Sequence, residues 1–262
     1  MRWVPDSTGR FGVRPQYTGA ELDAECERNL HSFLAARYGR VNLPVSTDAL
    51  TIMLEQATSD FDLYADLRSL GADVEGVTEF SSDRRPCVRI SKELSLDCRS
   101  QRRLRTTLAH EYAHVKLHSF LWSLRFDRTE CQFWSRLSRQ HNRYQQLRAR
   151  LEQLREATAP SLAMSRSGML IDLRHSESEG VCEAPDWMEM QAAYASRSLL
   201  MPVSAFTNRW CEINRDGRGA AGECPITSKE TETILADSFD VPIAAVRKRV
   251  TGLREATDCL LL

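Results

Sequence analysis

The stretch LAHEYAHVKLH, residues 108–118, constrains the fold more than any other segment of the chain. It places His110, Glu111, His114 and His118 among apolar residues whose spacing is typical of a helix packed on a core. Buried imidazoles and carboxylates are costly without partners, so a fold that buries this helix must also supply partners. The alternative is a surface helix that carries a few histidines, and the apolar neighbours disfavour it.

The spacing of His110 and His114 is that of a helical metal-binding motif, His-Glu-x-x-His. Residues four apart lie on one face of a helix, so both imidazoles can bind one metal ion. Glu111 is rotated from His110 by about 100°. Its carboxylate can therefore take a proton from a water molecule beside the ion instead of binding the ion. Imidazole and carboxylate ligands with an open fourth position favour Zn²⁺.

A catalytic zinc site needs a third protein ligand, which must come from another part of the chain. His118 lies too far along the helix to share an ion with the first two histidines, so it is expected to support or pack against the site. The later helix DWMEMQAAYASRSLLMP, residues 186–202, carries Glu189 near its start, and its alanines allow close approach to another helix. Glu189 is therefore the leading candidate. The alternatives are that Glu189 only favours the helix dipole, or that Glu183 or Asp186 is the ligand.

The chain resembles the ImmA/IrrE family of zinc metallopeptidases in two separated motifs. RTTLAHEYAHVKLH, residues 105–118, is similar to that family's helix TLAHELGHxxLH. EMQAAYASRSLLMP, residues 189–202, is similar to its second signature, approximately E-x-x-A-N-x-F-A-x-x-L-L-M-P. The resemblance spans most of residues 44–254, with Ala193 and Ala195 where the family signature has Asn and Phe.

This resemblance implies a fold, a site and a class of substrate. The implied fold is α+β, a mostly helical zincin-like metallopeptidase domain with a small β-sheet, plus a C-terminal helix–turn–helix-like helical pair. The implied site has His110, His114 and Glu189 as zinc ligands and Glu111 as the catalytic base. The expected function is a zinc-dependent metalloendopeptidase that hydrolyses a protein substrate, such as a DNA-binding repressor or an antitoxin.

The order of predicted elements also indicates an α+β fold. An extended N-terminal arm precedes a helix that runs from about Gly19 to a stop at Gly39. A second helix, with Ser46 or Thr47 as its N-cap, ends near Thr58. Two strands, in GADVEGVTEF and RPCVRISKEL, then precede the histidine-bearing helix. Three segments are predicted. Residues 1–45 form an N-terminal arm and helix, residues 46–210 form a metallopeptidase domain with an Arg-rich insertion at about 127–180, and residues 225–262 form a C-terminal helical segment.

Bulk properties limit the class of protein. The chain has 262 residues and a formal net charge of −1, so no global charge attracts it to nucleic acid or to an anionic membrane. It has no apolar run of about eighteen residues, and its N-terminus lacks the hydrophobic region of a secretion signal. A cytoplasmic protein without a membrane partner is expected. Its eight cysteines lack CxxC spacing and are expected to be mostly free and buried, and the alternative for Cys211 and Cys224 is a disulfide or a metal site.

The C-terminal tail and the Arg-rich insertion suggest a rival function. Two predicted tail helices flank a turn at residues 239–242, with Arg247, Lys248 and Arg249 in the second helix, as in a helix–turn–helix. The rival is a non-proteolytic regulatory or toxin-type protein with a structural zinc site, acting through this tail or the insertion. DNA binding through the tail is not favoured. The oligomeric state is not predicted.

Overall fold

The structure is a computed structural model that describes residues 1–126, 169–174, 186–216 and 228–258, except 7, 9, 12, 72 and 82–84. The described helices are α1 (Gly19–Tyr38), α2 (Thr47–Ala57), α3 (Lys92–Leu96), α4 (Gln101–Phe126), α5 (Trp187–Leu200), α6 (Val203–Asp216), α7 (Ser228–Phe239) and α8 (Ile243–Asp258). The described strands are β1 (Arg2–Pro5), β2 (Val13–Gln16), β3 (Asp60–Ala65), β4 (Val74–Phe80), β5 (Cys87–Ser91) and β6 (Met169–Arg174).

The strands form two small sheets. β1 and β2 pair antiparallel, and the other four strands lie in the order β3-β5-β4-β6. In this sheet β3 is parallel to β5, whereas β4 is antiparallel to both of its neighbours. Helices with small, separate sheets confirm the predicted α+β class.

Local signals place the helix ends where the sequence predicts them. Thr18 and Glu21 form a capping box at the start of α1, and Gly39 ends the helix in the left-handed conformation, with φ 69°. Ser46, not Thr47, is the N-cap of α2, because its side chain accepts a hydrogen bond from the backbone N–H of Ala49. α5 ends before Pro202, and α7 and α8 flank the predicted turn.

Several elements differ from the sequence predictions. The first residues form the β1–β2 hairpin, not a single extended arm, because the two segments pair with each other. β3 adds a parallel edge strand, and β6 pairs with β4 from within the predicted insertion. α6 was not predicted. The rest of the insertion lies outside the described residues. Among the described residues, no helix combines the length and apolarity needed to cross a membrane.

The main hydrophobic core joins helices from all three predicted segments. α4 lies at its centre and packs against α2, α5 and the strands β4 and β5. α1 packs on the other helices through α5 and α8. The core contains these fully buried side chains: Leu30, Leu50, Leu108, Leu200, Leu235 and Val246. The helix that carries the predicted ligands is therefore buried, and its polar side chains need partners.

A buried ion pair fixes the last helix to the first. Arg249 is 1% exposed, and its Nη1 donates to Asp23 Oδ1 at 2.6 Å and to Ser198 Oγ at 3.0 Å. Its Nε donates to the carbonyl oxygen of Met201 at 3.2 Å. Because these groups belong to α1, α5 and α8, the pair holds three helices together. Arg249 therefore does not add to an exposed basic face on the tail.

Replacing Asp23 with Asn is expected to lower the free energy of unfolding by about 3–5 kcal/mol, because Arg249 would stay buried without its charge partner. Denaturant unfolding followed by circular dichroism measures this change. Asp60→Asn, at an exposed position on β3, is the matched control and should change stability by no more than about 0.5 kcal/mol. Equal unfolding midpoints for the two variants would contradict the structural role of the pair.

Candidate metal centre

Two histidines of α4 point their Nε2 atoms at one place. His110 and His114 are 5% and 0% exposed, and their Nε2 atoms are 2.9 Å apart. The four-residue spacing puts the two rings on one helical face, as the sequence predicts. At this distance the rings can share a proton or both face a cation.

Glu189 reaches the same place from the first turn of α5. Its Oε2 lies 3.2 Å from His110 Nε2, and its Oε1 lies 3.2 Å from His114 Nε2. α5 packs closely against α4, and its small residues Ala192 and Ala195 are fully buried. The ligand atoms of the three residues all lie within 4.8 Å of one another, so the group can hold a metal ion.

The alternative third ligands have other positions. Asp186 is the N-cap of α5, where it accepts a hydrogen bond from the backbone N–H of Met188 and pairs with Arg10. It is not a member of the described His–His–Glu group. Glu183 lies outside the described residues. Of the two described candidates, Glu189 and Asp186, the structure places Glu189 against both histidines.

The electrostatics of the group favour a cation. Partial burial raises the pKa of Glu189, but hydrogen bonds and charge from His110 and His114 outweigh it and hold the pKa well below the ordinary value. Three groups meet here, two imidazole nitrogens and a carboxylate. A single proton can form a hydrogen bond between only two of them. A metal ion can accept a lone pair from each of them. The donor set therefore suits a metal ion better than it suits a proton.

Glu111 lies beside this group but is oriented by the sheet. Its side chain is 0% exposed, and its Oε2 accepts a hydrogen bond from Thr78 Oγ1 of β4. Its Oε1 has no hydrogen-bond partner in the described part of the chain. Burial raises the pKa of Glu111 to about 7, although the nearby charge of His114 and the Thr78 hydrogen bond act in the opposite direction. One oxygen is thus held by Thr78, and the other is available to accept a proton.

Gly76 of β4 makes room for the Glu111 carboxylate. A Cβ atom at this position would lie 2.5 Å from Glu111 Oε1 and 2.9 Å from Thr107 Cγ2. Neither Gly76 nor Thr78 was predicted as part of the site. A glycine inside a strand often marks close approach of another group, and this signal was present in the segment EGVTEF.

Gly76→Ala is expected to lower the free energy of unfolding by about 1–3 kcal/mol, because the new methyl group overpacks the space beside Glu111. The cost should fall when Glu111 is also replaced by Ala, since the closest clashing atom is then absent. Denaturant unfolding of the wild type, both single variants and the double variant measures this coupling. Effects that add to within about 0.5 kcal/mol would contradict the contact.

Buried polar groups form a series of contacts that begins at the second ring nitrogen of His114, the one that does not face Glu189. This atom, Nδ1, lies 3.2 Å from Nδ1 of His118, and Nε2 of His118 lies 3.2 Å from Oε1 of Gln191. The Gln191 Nε2 atom donates to the carbonyl oxygen of Pro15 at 2.8 Å. Burial lowers the pKa of His118 well below its ordinary value. His118 therefore contacts a predicted ligand without belonging to the ligand group.

The described site combines a His–His–Glu group that can hold a metal ion with a fully buried carboxylate beside it. Comparisons of the chain with protein-family models, curated proteins and solved structures found no match.

Proposed function

We propose that the chain is a zinc-dependent metalloendopeptidase with a zincin-like fold, similar to the ImmA/IrrE family. The observation that carries this proposal is the convergence of His110, His114 and Glu189 beside the buried Glu111. The first three groups come from two helices and have the donor set of a catalytic zinc site. The fourth follows His110 directly in the sequence, which is the place of the general base in the His-Glu-x-x-His motif.

The spacing of the ligand atoms supports zinc. Nitrogen and oxygen ligands bind zinc at about 2.0–2.2 Å in tetrahedral geometry, which separates the ligand atoms by about 3.3–3.6 Å. The separations of 2.9 and 3.2 Å among His110, His114 and Glu189 are slightly shorter. Small side-chain movements would therefore admit the ion. Three protein ligands leave a fourth position open, which is typical of catalytic zinc sites.

The chemistry at this position follows from the placement of Glu111. Zinc, when bound, supplies Lewis-acid polarisation of a peptide carbonyl and activation of water. Glu111 Oε1, the oxygen without a partner in the described residues, accepts a proton from the attacking water. Thr78 holds the other oxygen and so keeps the carboxylate from turning. Glu111 then gives the proton to the leaving amine.

The charge state of Glu111 suits this role. Burial raises its pKa to about 7. A positive charge at the neighbouring ligand group favours the ionised form of the carboxylate. Glu111 can then accept a proton at neutral pH and release it in the next step.

The substrate class rests on the family resemblance. A repressor or antitoxin is the proposed substrate, and the peptide bond that is cleaved lies within that partner protein. The rival is a non-proteolytic regulatory or toxin-type protein that acts through the tail or the Arg-rich insertion. For DNA binding, the tail has one fewer basic side chain available because Arg249 is buried against Asp23. The described structure adds no observation in favour of the rival.

Cleavage assays with the protein encoded by the neighbouring gene test the proposal. Zinc-loaded chain should cleave it at a defined bond, chelator should stop the reaction, and added zinc should restore it. New N-termini labelled in the source proteome, with and without chelator, extend the assay to other substrates. Chelator-insensitive cleavage, or salt-dependent binding of duplex DNA with no cleavage of any protein, would contradict the proposal.

A further inference from the structure

A series of hydrogen bonds links the backbone of β2 to His114. The backbone carbonyl at its start determines which atom donates and which accepts at each step. The carbonyl oxygen of Pro15 can only accept a hydrogen bond, so the Gln191 atom that faces it must be the amide nitrogen. A flipped amide would place two acceptors against each other. Gln191 is 8% exposed, so water is a poor substitute for this contact. Pro15 therefore orients Gln191 with Oε1 toward His118.

This orientation determines which nitrogen of His118 carries the proton. Gln191 Oε1 can only accept, and it lies 3.2 Å from His118 Nε2, so Nε2 must carry the hydrogen. His118 is fully buried, with Gln191 and His114 facing its two ring nitrogens. A neutral imidazole with its proton on Nε2 has a lone pair on Nδ1. Trp187 packs against this ring in a T-shaped contact, with ring centroids 5.5 Å apart, and limits its movement.

The same argument determines which nitrogen of His114 carries the proton. Its Nδ1 lies 3.2 Å from Nδ1 of His118, which has the lone pair, so His114 must donate from Nδ1. A neutral His114 then has its own lone pair on Nε2, the atom that faces His110 and Glu189. Metal-binding histidines usually donate their second ring N–H to a fixed acceptor, which selects the tautomer and orients the ring. Here that acceptor is another histidine.

We propose that Gln191 and His118 are positioning residues that fix His114 in the tautomer able to bind the metal. The Pro15 carbonyl is the fixed acceptor at the start of this series of hydrogen bonds. The inference rests on the metal-binding part of the proposed function. It also gives the N-terminal hairpin a role, because β2 supplies the acceptor that orients Gln191 and, through it, both histidines. The sequence motif that contains Glu189 thus contributes two groups to the site, a ligand and an orienting amide.

Two substitutions of Gln191 separate this role from simple packing. Gln191→Met keeps the volume but removes both hydrogen bonds, and it should raise the zinc dissociation constant by about 10–100-fold. In Gln191→Glu, burial favours the neutral carboxyl group, which can donate to the Pro15 carbonyl and still accept from His118 Nε2–H, so this variant should retain an affinity close to that of the wild type. A packing role predicts the opposite order, because Met is apolar whereas Glu buries a polar group. Gln56→Met, at an exposed position on α2, is the matched control and should bind zinc normally.

The experiment is a zinc titration of each full-length variant against a chromophoric chelator, with thermal unfolding to check that the variant folds. Long-range ¹H–¹⁵N spectra of the histidine-labelled, metal-free wild type provide an independent measurement. They should show the proton on Nδ1 of His114 and on Nε2 of His118. This second measurement needs no variant, so it holds if Gln191→Met fails to fold.

The outcomes distinguish this inference from the proposed function. A wild-type chain that binds no zinc overturns both. Zinc binding by the wild type with equal affinity in Gln191→Met overturns the positioning role alone. So does a spectrum with the His114 proton on Nε2. Weaker binding by the Met variant, normal binding by the Glu variant and the expected tautomers together support the inference.

Discussion

Glu111→Gln is expected to retain zinc and to lower the rate constant for peptide hydrolysis by about 10²–10⁴-fold, the usual contribution of a general base. The amide keeps the size of the side chain and can still accept the Thr78 hydrogen bond, but it cannot take a proton from water. Because Glu111 lies outside the His–His–Glu group, its loss should leave the ligand set intact. Metal analysis and cleavage kinetics of the same preparation measure the two effects separately.

The matched control for this variant is Glu55→Gln, at an exposed position on α2. It makes the same chemical change away from the site and should cleave at the wild-type rate. Undiminished cleavage by Glu111→Gln would remove Glu111 as the base. Loss of zinc together with activity would instead show that Glu111 acts on the metal site itself.

Glu189→Ala is expected to abolish both zinc retention and cleavage. The substitution removes one of three protein ligands, so the loss of zinc affinity should exceed the roughly 100-fold upper range for losing a supporting hydrogen bond. It also leaves His110 and His114 facing each other without the carboxylate that lies against both Nε2 atoms. Competition with a chelator of known affinity measures the change.

Met190→Ala serves as the control for zinc affinity, because Met190 is the next residue on α5 and is 51% exposed. Its zinc affinity should match that of the wild type. A Glu189→Ala variant that binds zinc as tightly as this control would mean that another residue completes the site. The contrast with Glu111→Gln is also informative, since only one of the two variants should lose metal.

Local signals predicted most of the helices and the two strands that flank the site. Capping residues, stop signals and apolar spacing act over a few residues, so the ends of α1 and α2 could be placed from the sequence. The β1–β2 hairpin and the edge strands β3 and β6 could not. Their formation depends on pairing with distant segments, and short strands with mixed polarity carry weak signals of their own.

Some residues of the candidate site could be predicted from local sequence, and others could not. His110, Glu111 and His114 share one helix, so a five-residue spacing was enough to group them. Glu189 required a second motif and the family resemblance. Gly76 and Gln191 were missed because their contacts with Glu111 and His118 arise only when β4 and α5 pack against α4.

Arg249 illustrates the limit of reasoning from local charge. In the sequence it stands in a basic run, Arg247–Arg249, that is typical of a solvated or nucleic-acid-binding helix face. In the structure it is buried against Asp23 of α1. No periodicity in either helix predicts that pairing, because the two partners come from opposite ends of the chain.

The most direct test of the central claim is a crystal structure of the zinc-loaded chain with anomalous scattering measured at the zinc absorption edge. We expect one peak within bonding distance of His110, His114 and Glu189, no fourth protein ligand, and Glu111 Oε1 facing the open position. No peak at this group, or a fourth protein ligand that closes the site, would contradict the claim that these residues form a catalytic zinc centre.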